Sequence, residues 1–261
     1  MIHLLFSRQW WWTTLLVVAA IGVMARLGIW QLDRLAARRA FNAHVSAQIA
    51  RPPLTLDAAS LAEDLAVMEY RQVVVSGTYD HAQQVALRNQ EHGGRLGVHL
   101  LTPLRIAGTR QAVLVDRGWI PAEDAAPGRW GAYDEPGQVE VRGVIRQSRS
   151  RPDFGGVPDP TPAPGQRLSA WNMANVEGIG RQTTLQLAPI YVQQAPDPAR
   201  SALPVRSQPE LDLSEGPHMG YALQWFAFAA VLAIGYLRYL HTQARAAERA
   251  ARAQLQAAES A

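Results

Sequence analysis

Two long apolar runs, one near each end of the chain, limit its possible folds more than any other feature. The first, WWWTTLLVVAAIGVMARLGIW, covers residues 10–30 and is uncharged over 10–25, before Arg26 interrupts it. As a helix it would be roughly 30 Å long, about the thickness of one hydrocarbon core. Trp at both ends reads as an interfacial belt, and Arg26, one turn inside Trp30, can snorkel outward. A cleaved signal peptide is the competing reading, because Val23-Met24-Ala25 resembles a cleavage site and Arg8 precedes the apolar core. The anchor is preferred, since the run continues to Trp30 and a second run exists.

That second run covers 218–240, with a polar start, a dense apolar middle over 226–234, and Tyr236 and Tyr239 near its end. It continues into an Ala-rich tail with Glu248 and Arg252 four apart, a pattern that stays helical in water. Two spans put both tails on one side of the membrane. Arg8, Arg238, Arg245, Arg249 and Arg252 oppose Arg34, Arg38 and Arg39, so charge counting is close to balanced. Long connecting domains translocate largely regardless of charge. The expected division is therefore a cytoplasmic tail (1–9), a span (10–30), an extracytoplasmic domain (31–217), a second span (218–240) and a cytoplasmic helical tail (241–261).

The middle reads as β-rich. Segments 70–79, 84–89, 98–106, 112–120, 139–147 and 189–195 are rich in β-branched residues and separated by turn signals such as Gly93-Gly94 and Pro136-Gly137. Short helices are expected near 58–66 and 173–179. The fold class is α+β: two transmembrane helices flanking an antiparallel β-rich domain, a small barrel or curled sheet trimmed with short helices. No strand–helix alternation supports a Rossmann-type domain. Loop 151–165 carries five prolines and is expected to be extended, as a connector or a partner contact. Loop 194–217 leads back to the membrane.

Composition excludes several functions. The net charge is +3, and all 25 basic residues are arginine, scattered without a basic stripe, so no nucleic-acid partner is expected. There is no cysteine, which removes disulfides, thiolate metal sites and cysteine nucleophiles. Any metal or haem would need His, Met, Tyr or carboxylate ligands. No nucleophile elbow, HExxH or phosphate-cradling loop occurs. Asp80-His81 reads as an exposed turn pair. Asp116-Arg117, in VDRGW, reads as a structural ion pair or strand-end hydrogen bond, and Glu69 and Arg71 as structural. The chain is expected not to be an enzyme, and a membrane-tethered hydrolase has no motif in its favour.

Four segments carry a resemblance: LGIWQLDR (27–34), EYRQVVVSGTYD (69–80), VDRGWIP (115–121) and the pattern His218, Tyr221, Trp225. In this order, between two spans, they resemble the Surfeit locus protein 1 family of assembly factors for haem–copper cytochrome c oxidase. The resemblance implies two spans around a domain on the outer side of the bacterial inner membrane, and a role in maturing the oxidase catalytic subunit. Haem a synthase is a further expected partner, beside the lipid bilayer. Some bacterial members of the family are described as haem a binders, with a histidine at the second span as ligand. His218 is the residue in that position here.

The residues support a related reading independently. On a helix, 218, 221 and 225 share one face at i, i+3 and i+7. Spacing alone favours an interfacial aromatic belt with a solvated histidine; the resemblance favours a haem site with His218 on the iron and Tyr221 and Trp225 as walls. Arg26, Trp30 and Arg34 form a second stripe at i, i+4 and i+8. Arg26 or Arg34 is expected to pair with a haem propionate, since guanidinium suits a carboxylate fork. The alternative function is a structural chaperone of the immature subunit that binds no haem.

Overall fold

The computed structural model describes residues 7–8, 10–152, 154–163, 165–198, 202–208 and 211–259. Most of the tail expected over 1–9 lies outside these residues, as do parts of loops 151–165 and 194–217 and the last two residues of the C-terminal tail. The chain divides into two compact units: Met1–Ala43 with Leu213–Ala261, and His44–Asp212.

The second unit is β-rich. Its strands are β1 (Leu54–Thr55), β2 (Gln72–Tyr79), β3 (Val85–His92), β4 (Arg95–Ile106), β5 (Gln111–Pro121), β6 (Gln138–Gln147), β7 (Ala170–Trp171) and β8 (Gln186–Gln194). They form one sheet in the order β1-β2-β6-β8-β5-β4-β3-β7, and a further β2–β4 pairing closes β2, β6, β8, β5 and β4 into a five-stranded barrel. Four of the five pairings in the ring are antiparallel; β5–β8 is parallel. An odd-membered closed ring cannot alternate strand direction all the way round, so one pairing has to be parallel. The two-residue strands also pair in parallel, β1 with β2 and β7 with β3.

Strand β5 shows why apolar clusters lie on both sides of the sheet. Side chains alternate faces along a strand. Val113 and Val115 join the larger apolar cluster with Val75, Val141, Ile145 and Ile190. Leu114, facing the other way, packs with Val85, Leu101, Trp171 and Ile179. Both faces of β5 are thus covered, as the continuous apolar run over 112–115 requires. The second cluster is completed by a short helix, α2 (Val176–Gly180), whose N-cap Asn175 accepts the Gly178 N–H at 2.9 Å. The segment expected as a helix over 58–66 instead forms two 3-10 turns, Ser60–Ala62 and Leu65–Met68. Each turn has its own cap: the Asp57 carboxylate accepts the N–H groups of Ala59 and Ser60, and that of Asp64 accepts the Ala66 N–H, so the path restarts at Asp64 and does not run on as one helix.

The proline-rich loop is tied down at Asp159, whose carboxylate accepts the N–H groups of Asn172 at 2.8 Å and Met173 at 3.2 Å. The VDRGW segment is a clasp. Arg117 is fully buried and donates to Gln84 Oε1 at 3.0 Å, to Glu135 at 2.9 Å and to the Tyr133 carbonyl, while lying over the Tyr79 ring at 4.9 Å. Arg206, from the return loop, reaches the same carboxylate at 3.2 Å. Asp116 accepts from His99 Nδ1 at 2.9 Å and from the Gly118 N–H at 3.0 Å. Gly118 has φ +115, and a Cβ there would stand 2.4 Å from the Val205 carbonyl oxygen. Trp119 and Val205 exchange backbone hydrogen bonds at 2.9 and 2.8 Å. The motif therefore holds the return segment on the barrel, in keeping with its structural reading. Asp80 and His81 are not an exposed turn pair: Asp80 binds Arg105 at 2.6 Å, and His81 Nδ1 lies 3.1 Å from Asp134, because the β2–β3 turn packs against the segment that carries Glu135.

Tyr133 gives this unit an alkaline limit. Burial first, and then its 2.6 Å hydrogen bond to Asp124, push the phenol up to about 12. A raised phenol contributes stability that is complete below its ordinary value near 10 and is lost as pH rises through about 12. Chemical denaturation at stepped pH should show a loss over that window that Tyr133→Phe lacks; equal slopes for the two proteins would show that the phenol does not matter.

Candidate functional site

The other unit is a helix pair. Helix α1 (Trp11–Ile49) runs unbroken well past Trp30, with its last residues, 44–49, counted in the β-rich unit, and α3 (His218–Glu259) follows the return loop. Both are long and apolar enough to cross a membrane, and only 6% of the apolar window of each is buried inside the protein. A core helix of a soluble protein would be largely covered, so these helices offer their apolar surface to lipid.

The covered side of α1 repeats every seven residues. Thr14, Ile21, Gly28, Leu35 and Asn42 lie on it, with Val17, Met24 and Gln31 between them. On α3 the covered positions include Ala222, Ala229, Tyr236 and Leu240. This is the 3.5-residue spacing by which one helix keeps a seam against another. The seam is antiparallel. Thr14 and Tyr236 hydroxyls meet at 2.6 Å, and Trp10 meets Tyr239 edge to face with centroids 5.5 Å apart. Midway, Gly28 receives the Phe226 ring; a Cβ at Gly28 would stand 2.6 Å from Phe226 Cε1. At the far end Arg39 forms a two-toothed pair with Glu215, both contacts 2.8 Å, and Asn42 donates to the Leu213 carbonyl at 2.5 Å.

His218 opens α3. Gly216, at φ +68, turns the chain, and the Pro217 carbonyl accepts the Tyr221 N–H at 3.1 Å, closing the first helical turn. This seats the His218 ring partly covered on the seam, with Nδ1 2.8 Å from Gln31 Oε1. On the other side of the ring, a Cβ on Gly216 would come no nearer than 3.7 Å to Nε2. Trp225 is also partly covered and meets Phe228 edge to face, centroids 6.2 Å apart. Tyr221 turns outward and is 46% exposed. The anticipated single face thus splits: His218 and Trp225 border the seam, and Tyr221 does not.

The arginine stripe lies away from the seam. The Arg26 side chain is 67% exposed and 4.0 Å from Asp33, and Trp30 and Arg34 are exposed. The residue that meets His218 is Gln31, which the sequence reading passed over. A polar residue three after Gly28 on a covered, seven-residue stripe was the signal that could have found it. No group of His, Asp or Glu suited to a metal ion occurs among the described residues. A single imidazole with one nitrogen already hydrogen-bonded could hold the iron of a haem through its other nitrogen and does not fit a multi-ligand metal cage.

A closed five-stranded barrel domain combined with two apolar helices in an antiparallel pair marks a two-pass membrane protein. Comparison with known proteins makes the assignment specific. The chain belongs to the SURF1 family, whose family model matches residues 18–230. It is similar to a SURF1-like protein of Monosiga brevicollis, 27% identical over 215 residues that cover 78% of each chain. It is also similar to Surfeit locus protein 1 of Mus musculus, 26% identical over 218 residues (78% of this chain and 68% of the relative). Surfeit locus protein 1 of Homo sapiens is 25% identical over 219 residues, 78% and 69% of the two chains.

Proposed function

We propose that this protein is a non-enzymatic assembly factor for a haem–copper cytochrome c oxidase, and that it holds haem a through His218 before the haem passes to the oxidase catalytic subunit. Family membership supports the assembly role. The observation that carries the haem step is the His218 ring, seated at the head of α3 with one nitrogen held at 2.8 Å by Gln31. Haem a is too apolar to cross water unaided, so a ligand at the polar end of a span suits its transfer. One protein ligand also allows release. Both tails lie in the cytoplasm and the barrel domain outside the inner membrane, within reach of haem a synthase and the oxidase subunit.

Of the two arginines, Arg34 is one turn from Gln31, whereas Arg26 already faces Asp33, so the propionate pairing belongs to Arg34. Trp225, two turns along α3 from His218, would supply an aromatic wall. A second reading rests on Tyr221: a polar aromatic turned out of the helix pair is suited to contact a membrane subunit, and the protein would then be a structural chaperone without haem.

The test is the optical spectrum of the detergent-purified protein, coexpressed with haem a synthesis, beside His218→Ala. A reduced haem a band present in the parent and lost in the variant is expected. Equal bands would place the ligand elsewhere. No band in either, with the oxidase subunit still co-purifying, would hand the function to the chaperone reading. Arg26→Gln combined with Arg34→Gln is expected to lower haem retention; unchanged retention would remove the propionate pairing.

A further inference from the structure

We infer that Gln31 is a positioning residue for His218: it fixes which imidazole nitrogen carries the proton and so dedicates Nε2 to bonding. The identity of the bonded group rests on the haem reading above; the proton placement does not.

A neutral imidazole has one N–H and one bare nitrogen. Gln31 Oε1 is a carbonyl oxygen and can only accept, so at 2.8 Å from Nδ1 the ring nitrogen is the donor. The Nδ1–H form leaves the lone pair on Nε2. The hydrogen-bond partner of one ring nitrogen commonly sets which nitrogen a metal takes, and it orients the ring.

Two features make this a held geometry and not a passing contact. Gln31 is partly covered on the α1 seam, between Gly28 and Leu35, and the close approach of Phe226 to Gly28 keeps the two helices near each other. On the opposite side of the ring the chain has glycine. Gly216 adopts φ +68, which favours glycine over other residues. The side of the ring that carries Nε2 is therefore lined locally by a residue without a side chain.

The choice of an amide also has a consequence. A carboxylate partner would strengthen the histidine as a donor. A neutral amide orients the ring without that added strength, which suits a ligand that has to let go.

The experiment has two arms, both on the full-length protein. The first uses protein labelled with ¹⁵N-histidine in detergent or lipid discs, without haem, with the His218 signals assigned by their loss in His218→Ala. The ring nitrogen shifts at alkaline pH should report Nδ1–H for the parent. Gln31→Leu should lose that fixed form and show exchange between the two tautomers, and Gln31→Glu, which keeps an acceptor, should retain it. An Nε2–H form in the parent, or no change in Gln31→Leu, overturns the inference.

The second arm titrates the same proteins with haemin. Gln31→Leu should weaken binding about 10–100-fold, the usual effect of losing such a partner, and Gln31→Glu should bind at least as well as the parent. Equal haemin affinity in parent and Gln31→Leu overturns the link to binding. If His218→Ala binds haemin as the parent does, the haem reading itself fails, and the nitrogen shifts still decide the role of Gln31.

Discussion

Arg117→Ala should destabilise the barrel domain by about 3–5 kcal/mol, the usual effect of removing one partner of a buried ion pair. Arg117 has no solvent exposure, and its guanidinium serves Gln84, Glu135 and the Tyr133 carbonyl at once. Truncation would take a donor from Gln84 Oε1, Glu135 and the Tyr133 carbonyl, although Gln84 keeps Thr102, and would leave a void beside the Tyr79 ring. Glu135 would keep Arg206 at 3.2 Å, so its charge would not be left wholly uncompensated, which argues for the lower part of the range. Lysine would restore the charge but not the forked geometry, and should recover only part of the loss. Denaturant unfolding of the detergent-solubilised protein, followed by Trp fluorescence, would measure this. A shift below about 1 kcal/mol would mean that the network is not a main support of the barrel.

The second large effect is expected from Gly28→Leu. Phe226 already occupies the space where a side chain at 28 would begin. Small residues let membrane helices approach closely, and here Gly28, Ala222 and Ala229 provide the near contacts. A leucine should push the axes toward the upper end of the ~8–10 Å range of packed helices. The Gln31–His218 bond, one turn away, would then break. Because the chain has no cysteine, spin labels can be placed cleanly on exposed Val23 and Val231 through cysteine substitutions. The expected result is a longer and broader label distance, together with loss of the haem band; an unchanged distance would show that the seam repacks around the new side chain. Gly28→Ala, with one added carbon, should show the same change in weaker form.

Much of this protein is legible in one dimension. The two apolar runs and the long β-rich stretch between them follow from composition and period, because lipid and strand geometry impose strong local patterns. VDRGW could be read as structural because a buried Asp-Arg pair within a strand needs nearby partners. The identities of those partners, Glu135, Gln84 and His99, were not legible, since they arrive from distant strands and loops. The parallel β5–β8 pairing was also hidden: it is required by closure of an odd-membered ring, and nothing local in either strand encodes it.

The candidate site divides in the same way. His218, Tyr221 and Trp225 stand out in sequence as polar and aromatic residues at the start of a span. A helical wheel puts them on one face, but it cannot say where on that face the neighbouring helix lies. The tertiary structure sets the seam between the helices, and so it separates Tyr221 from His218, turns Arg26 and Arg34 outward, and brings in Gln31. The sequence alone determined that the chain has two membrane-crossing helices and a β domain, because each element answers to its own solvent. Only the tertiary structure decided which side chains meet at His218, because that depends on the register of two helices far apart in the chain, set by the glycine and alanine positions along their seam.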